Sequence, residues 1–339
     1  MNDTNPSVPF WKRRIPPALA LWLIAPVFGE LVSGSTPLNE YISPFTILLC
    51  MLYGSGAVII RERLIRGGKS WRGLLWLGAA YGIFEEGLMV RSFFDPNWQD
   101  LEQLGIYGRA IGVNWVWTEH LIIFHMLISV AASIVFVEIL YPDQRATPWI
   151  GTRGTKWNLI FLAITLPVGA LMNPYNTPDI WLGVCWFAIV LMALAAWHAG
   201  QAPATAKEAQ GVRVPPPWLF WWIAFLGMVG QTAIIYVPAE RNNLPFLVTM
   251  LLVALFDLLI LWVVLRWSGN AQSWDDRHRL ALINGGLSFW LVLGPLVSQG
   301  QYPIMYFSNP ILLVLLWWVA YKVNQRVKAE GRTAAQSLP

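Results

Sequence analysis

Residues 112–140 read GVNWVWTEHLIIFHMLISVAASIVFVEIL, and this stretch decides the fold. It is apolar almost throughout and does not alternate, so it is not a strand of a membrane barrel. At a helical rise of about 1.5 Å per residue it is long enough for a hydrocarbon core of about 30 Å. Working outward, nine further apolar runs surround it. The ten expected spans are 16–34, 44–60, 73–93, 112–140, 157–173, 180–198, 218–237, 246–266, 280–298 and 304–322. Composition agrees: 56% of the 339 residues are hydrophobic and 12% are charged, against about 45–50% and about 25% in soluble domains. So few charges cannot cover a soluble surface of this size. The expected fold is an all-α, polytopic transmembrane bundle, a single integral membrane domain over residues 1–339. The connections leave no room for a soluble nucleotide-binding or catalytic domain, so any activity lies within the helices or their short links.

Charge placement sets the expected orientation. With the N-terminus inside, all but Arg91, Arg109 and Arg241 of the 23 Lys and Arg fall in the tails or the inner loops. That is the positive-inside pattern. It predicts both termini in the cytoplasm, and a bacterial plasma membrane as the location. It also explains the net charge of +4 without nucleic acid, so the bilayer is the expected partner. The WKRR start and the apolar run after it resemble a signal peptide, but the run is long for a signal core and is read as a retained first span. Trp11, Trp71, Trp149, Trp157, Trp218 and Trp267 sit near span ends, as interfacial anchors do. Cys50 and Cys185 lie in apolar runs and read as buried thiols. Gly68-Lys69-Ser70 mimics the end of a phosphate-binding loop, but Arg63 stands where the leading Gly belongs.

Ionisable groups inside a bilayer are costly and mark candidate sites. They concentrate in two consecutive spans. Span 3 carries Glu85, Glu86 and Arg91; span 4 carries Glu119, His120 and His125; Glu30 of span 1 falls in the same layer. From the helical rise, Glu85 and Glu86 lie roughly 18–20 Å from the inner end of span 3, and Glu119 to His125 roughly 10–20 Å below the outer end of span 4. Helical spacing puts Asn114, Thr118, His125 and Ser129 on one polar stripe, bordered by Glu119, with His120 roughly opposite. Gly78 and Gly82 form a small-residue pair on the face of span 3 that carries Tyr81, Glu85 and Glu86. Packed together, the two faces would gather carboxylates and an imidazole around a pocket. Glu85, Glu86, Glu119 and His125 are the candidate catalytic residues; Arg91, Thr118, His120 and Ser129 are the candidate substrate-binding residues. The outer loop 94–111 either caps this pocket or is a solvated connection.

Adjacent glutamates, an Arg and a His-bearing helix resemble the CAAX-protease and bacteriocin-processing membrane peptidases. The match covers Glu85-Glu86 with Arg91, and His125-x-x-x-Ser129 where the family has HxxxN. The resemblance implies an intramembrane hydrolase in which Glu85 or Glu86 activates water and His125 stabilises the oxyanion. The AYGIFEEG segment, 80–87, is also similar to uncharacterised polytopic bacterial membrane proteins.

Three function classes stay open. One is a peptidase-like hydrolase acting on a membrane peptide. Another is a proton- or cation-coupled transporter of a small solute, using the same acids with Asp257 of span 8. The last is a non-catalytic membrane scaffold in which each acid is paired. No cofactor is expected; zinc would need Glu85 or Glu86 as well as the imidazoles, because Glu119-His120 and His125 lack the HExxH spacing.

Overall fold

The computed structural model describes residues 15–68, 70–99, 101–201, 214–268, 274–297 and 304–336. Among them ten long helices follow in order: α1 (Pro17–Leu31), α2 (Phe45–Arg66), α3 (71–89), α4 (Trp115–Leu140), α5 (Thr152–Met172), α6 (Asp179–Gln201), α7 (Pro217–Arg241), α8 (Phe246–Ser268), α9 (Asp276–Val297) and α10 (Met305–Gln336). Seven helices (α2, α4–α8 and α10) are long and apolar enough to cross a membrane. The chain is an all-α, multi-pass membrane protein. The expected anchor Trp11, the basic residues Lys12, Arg13, Arg14, Lys69, Lys207 and Arg213, the acid Asp100 and the loop 298–303 lie outside the described residues.

Several expected boundaries move: α2 runs past 60 to Arg66 and α10 past 322 to Gln336. The fourth apolar run begins at 112, but the helix begins at Trp115. Before it, Arg109–Ala110 (β1) pairs antiparallel with Val113–Asn114 (β2). Ile111 and Gly112 make the turn with φ of 49° and 82°, a region glycine enters freely. Asn114 then caps α4, its side-chain oxygen accepting from the Trp117 amide at 3.0 Å.

Burial separates an inner from an outer set of helices. About two thirds of the apolar windows of α2 and α4 is buried, 67% in each, against 11% for α5, α6 and α8. The outer helices expose rows of Leu and Trp, as lipid-facing surfaces do (Leu251, Leu255, Leu258 and Trp262 on α8). α1 packs on α2 and on the second half of α4; α3 packs on α4 and α6; α7 packs on α8 and α9, and α9 on α10. The small pair of α3 faces α4 backbone: a Cβ on Gly78 would come within 3.0 Å of the Met126 Cα, and one on Gly82 within 3.2 Å of the Ile122 Cα. Glycine here permits the close approach of two helices.

The C-terminal end of α2 is tied to the segment 141–151. Arg61, expected in a solvated loop, is instead 1% exposed within the helix. It donates to Glu62 Oε1 (2.9 Å), Thr147 O (2.8 Å), Arg145 O (3.1 Å) and Gln144 O (3.3 Å). Glu138 lies 3.5 Å from its Nε, and its guanidinium sits 3.5 Å from the Trp149 ring centre. Glu138 is buried against this guanidinium. Glu62 in turn accepts from the Trp149 amide at 2.7 Å.

A second cluster anchors the start of α9. Asp276 receives Arg145 at 2.6 and 3.0 Å and Arg326 of α10 at 2.6 Å. Just before the helix, Asp275 takes Arg277 and His278 at 2.6–2.9 Å. Burial works against the charge of Asp275, but the Arg277 and His278 bonds outweigh it and hold its carboxyl below its ordinary 3.8. A depressed folded value means the contribution is present at neutral pH and is lost as pH falls through that value. The melting temperature of Asp275→Asn is therefore expected to lie below that of the parent at pH 6. The gap should narrow as pH falls below 3.8 and close once the parent carboxylate is also protonated. Paired thermal melts across this range check this.

Candidate functional site

Four helices contain a wide, π-type turn, and all four turns meet. They are Val27–Leu31 in α1, Cys50–Gly54 in α2, Phe84–Met89 in α3 and His125–Ala132 in α4. The amide of Val32 bonds Val27 O at 2.9 Å and that of Val90 bonds Glu85 O at 2.9 Å, both spanning five residues. Such insertions concentrate at functional sites. A π turn holds more residues than an α turn, so neighbouring side chains diverge less. This lets Glu85 and Glu86, adjacent in sequence, both face α4. Each of the four turns supplies a polar member of one cluster: Glu30, Tyr53, the Glu85–Glu86 pair, and His125 with Ser129.

His125 is the hub and is 2% exposed. Its Nε2 lies 2.9 Å from Glu86 Oε1. Its Nδ1 lies 3.1 Å from Ser129 Oγ and 3.3 Å from Glu85 Oε2. A carboxylate only accepts, so Nε2 carries a proton toward Glu86, while Nδ1 faces both the Ser129 hydroxyl, which can donate or accept, and the Glu85 carboxyl. The other oxygen of Glu86 accepts from the Ser92 hydroxyl, which accepts from Trp117 Nε1 at 3.1 Å. On the far side, Tyr53 and Thr36 each donate to Glu30 at 2.7 Å. The Tyr53 and Tyr81 rings flank His125, with centroids 6.1 Å away in each case. Glu85 Oε2 and the Tyr81 hydroxyl are buried without a well-formed hydrogen bond. A nearly continuous polar chain thus runs from Thr36 through Glu30, Tyr53, Glu85, His125 and Glu86 to Ser92.

The rings are seated on glycine. A Cβ on Gly29 would overlap the Tyr53 ring, and one on Gly56 the Tyr81 ring. The rings are buried and cannot swing clear. Gly56→Ala is expected to lower stability by about 1–3 kcal/mol, the usual cost of overpacking. A thermal melt of the purified variant in detergent measures it.

The structure gathers only part of the expected set. Glu85, Glu86, His125 and Ser129 meet, and Glu30 joins them. Glu119 does not: it precedes His125 by six residues, which turns it about 120° around the helix. It faces a groove of about 480 Å³ between α4 and α8, together with Thr118. Thr118 spends its hydroxyl on Asn114 O at 2.7 Å. His120 is buried on the side of α7, toward Gln231. Arg91 reaches away from the glutamates and donates to Tyr175 O at 2.7 Å. Its contribution is in the backbone: with φ of 63° it ends α3 and turns Ser92 back onto Glu86. Asp257 accepts from Gln231 Nε2 at 2.8 Å and belongs to the groove side. The loop after α3 covers the cluster, with Phe93, Phe94, Leu101 and Leu104 all buried. Tyr53, Ser92 and Trp117 are the members that sequence reasoning missed. A tyrosine or tryptophan in a span reads as ordinary apolar or interfacial residue, and no periodic signal singles these out.

Chemically, the cluster offers three carboxylates and one imidazole. A single imidazolium can neutralise one carboxylate, so the site has capacity for further protons or for a divalent cation. Donor atoms of Glu85, Glu86 and His125 all lie within 4.8 Å of one another, a spacing a metal ion could bridge.

Comparison with known proteins gives a family and no activity. The sequence profile described as "Uncharacterized membrane protein family" matches residues 19–297, which reaches from α1 to the end of α9. No curated protein and no solved structure matches the chain.

Proposed function

We propose, from the premise that the chain belongs to this uncharacterized membrane protein family, that it is an intramembrane hydrolase of peptidase type with Glu86 and His125 at its centre. The single observation that carries the reading is the convergence of four π turns on one acid–imidazole cluster. Structural ion pairs do not need four distorted helices; a working centre that must hold groups at fixed angles does. In this reading Glu86 takes a proton from water while the oxygen attacks a peptide carbonyl carbon. His125 faces the oxyanion, and the C–N bond breaks as the amine takes up the proton. Ser129 fixes the ring at Nδ1, and Glu30 with Thr36 and Tyr53 forms a polar route for water and protons from the 33–40 loop. The sequence resemblance at 85–91 and 125–129 favours the same chemistry. The ten-span topology with cytoplasmic termini, and the bacterial plasma membrane as its location, are part of the proposal and rest on the placement of basic residues.

The 4.8 Å donor spacing favours a second reading, in which Glu85, Glu86 and His125 hold a divalent metal that supplies the activated water. Cleavage of membrane-spanning peptides by the purified protein in proteoliposomes tests both. Cleavage that survives a chelator, in protein without stoichiometric metal, supports the Glu–His mechanism. Cleavage lost to the chelator and restored by one metal supports the second. Peptides left intact by the folded parent, or cleaved equally by Glu86→Gln, remove the hydrolase reading.

A further inference from the structure

The groove between α4 and α8 is separate from the acid–imidazole cluster, and its chemistry is different. Trp115, Glu119 and Ile122 of α4 and Met250, Ala254 and Leu258 of α8 line about 480 Å³ of nearly apolar space. That is the size range of pockets for small organic ligands. It opens sideways: Leu258 on its rim is 60% exposed on the lipid-facing surface. One carboxylate, that of Glu119, borders these apolar walls. Glu119 Oε2 is buried with no hydrogen-bond partner, and among the described residues Glu119 forms no ion pair. Asp257 stands next to Leu258 on α8, outside the groove's own lining, and among the described residues its carboxylate accepts from the neutral amide of Gln231. No described Lys or Arg pairs with either acid.

Two acids without a cation at the edge of an apolar, laterally open groove define what fits. Carboxylates in hydrocarbon are costly unless they are protonated or a cation offsets them, and an organic cation entering the groove would favour the ionised form. A soluble ion would leave the apolar walls unfilled, and a plain acyl chain would leave the acids uncompensated. A Trp face at the outer end of the groove adds an attraction specific to organic cations. We propose that this groove binds a cationic amphiphile, a lipophilic ammonium or phosphonium whose head meets Glu119 and Asp257 and whose apolar part lies along α8. The proposal is independent of hydrolysis at Glu86 and His125.

Tetraphenylphosphonium is a suitable probe. Its equilibrium binding would be measured on the full chain in nanodiscs of zwitterionic lipid, with triphenylphosphine oxide as a neutral comparison of similar bulk. The parent should bind the cation saturably and the neutral compound far less. Glu119→Gln should weaken cation binding about tenfold or more, as losing a charge-assisted contact does, and Asp257→Asn should weaken it less. Glu119→Asp should restore part of the affinity. Ala254→Trp, which fills the groove from α8 while leaving both acids in the sequence, should block binding. Absence of saturable binding, equal binding of the neutral compound, or equal affinity in Glu119→Gln and the parent would overturn the proposal. Loss of binding in Glu119→Gln together with full binding in Ala254→Trp would overturn the groove as its place.

Discussion

Glu86→Gln is expected to reduce turnover of a membrane-embedded peptide by about a hundredfold or more, the lower end of what a positioned acid–base group contributes. Gln keeps the size of the side chain and can still bond His125 and Ser92, but it cannot take a proton from water. His125→Ala should cost at least as much, because it removes the group that both Glu85 and Glu86 face. Ser129→Ala should cost far less, since Ser129 acts only by fixing the ring at Nδ1. Its loss should appear mainly in kcat, with KM little changed. The measurement is steady-state cleavage in proteoliposomes, with melting curves to show that each variant is folded. A scaffold role predicts another order: His125→Ala would be poorly folded, and Glu86→Gln would match the parent in every respect.

The largest expected loss of stability lies elsewhere. Arg61→Ala should cost about 3–5 kcal/mol, because it takes a buried guanidinium from beside two buried carboxylates, Glu62 and Glu138. It also removes the guanidinium donor from the carbonyls of Arg145 and Thr147, while Gln144 O keeps Trp149 Nε1 at 2.9 Å. Lys should not rescue it: an ammonium cannot reach carbonyls on several sides and stack on Trp149 at once. Arg66→Ala is the natural control, since its side chain is 48% exposed and its Glu62 contact is 3.3 Å. A surface pair of that kind contributes about 0–1 kcal/mol. Unfolding titrations in detergent of the three variants measure the difference. A loss of less than about 1 kcal/mol for Arg61→Ala would mean that water reaches this cluster and that its burial is incomplete.

That Glu30, Glu85, Glu86 and His125 share one level of the bundle was legible in the sequence, and their azimuth only in part. Apolar length located every long helix because hydrocarbon thickness dictates it. Counting residues from the span ends put Glu30, Glu85, Glu86 and His125 in one layer, and the structure joins them through Tyr53 and His125. Which side each residue faces depends on an uninterrupted 3.6-residue period, and that period fails here. Asn114 lies before the helix as its cap, so it cannot share a stripe with His125. The π turns shift the phase after His125 and within Phe84–Met89, and nothing in residue composition announces them. Glu119 shows the other limit. Depth alone placed it with the catalytic candidates, yet its position on the turn sends it to the α8 groove. Arg61 illustrates a third. A basic residue near a span end looks like an interfacial anchor, and only the returning segment 141–151 turns it into a buried lock.

The most direct measurement is a comparison of new protein N-termini in membranes from cells that produce the parent chain and cells that produce Glu86→Gln at equal levels. Terminal labelling followed by mass spectrometry reads every cleavage at once and needs no prior choice of substrate. Hydrolysis at Glu86 and His125 predicts termini within or beside transmembrane segments that are present with the parent and absent with the variant. Identical sets of termini, from two folded proteins of equal abundance, would contradict it.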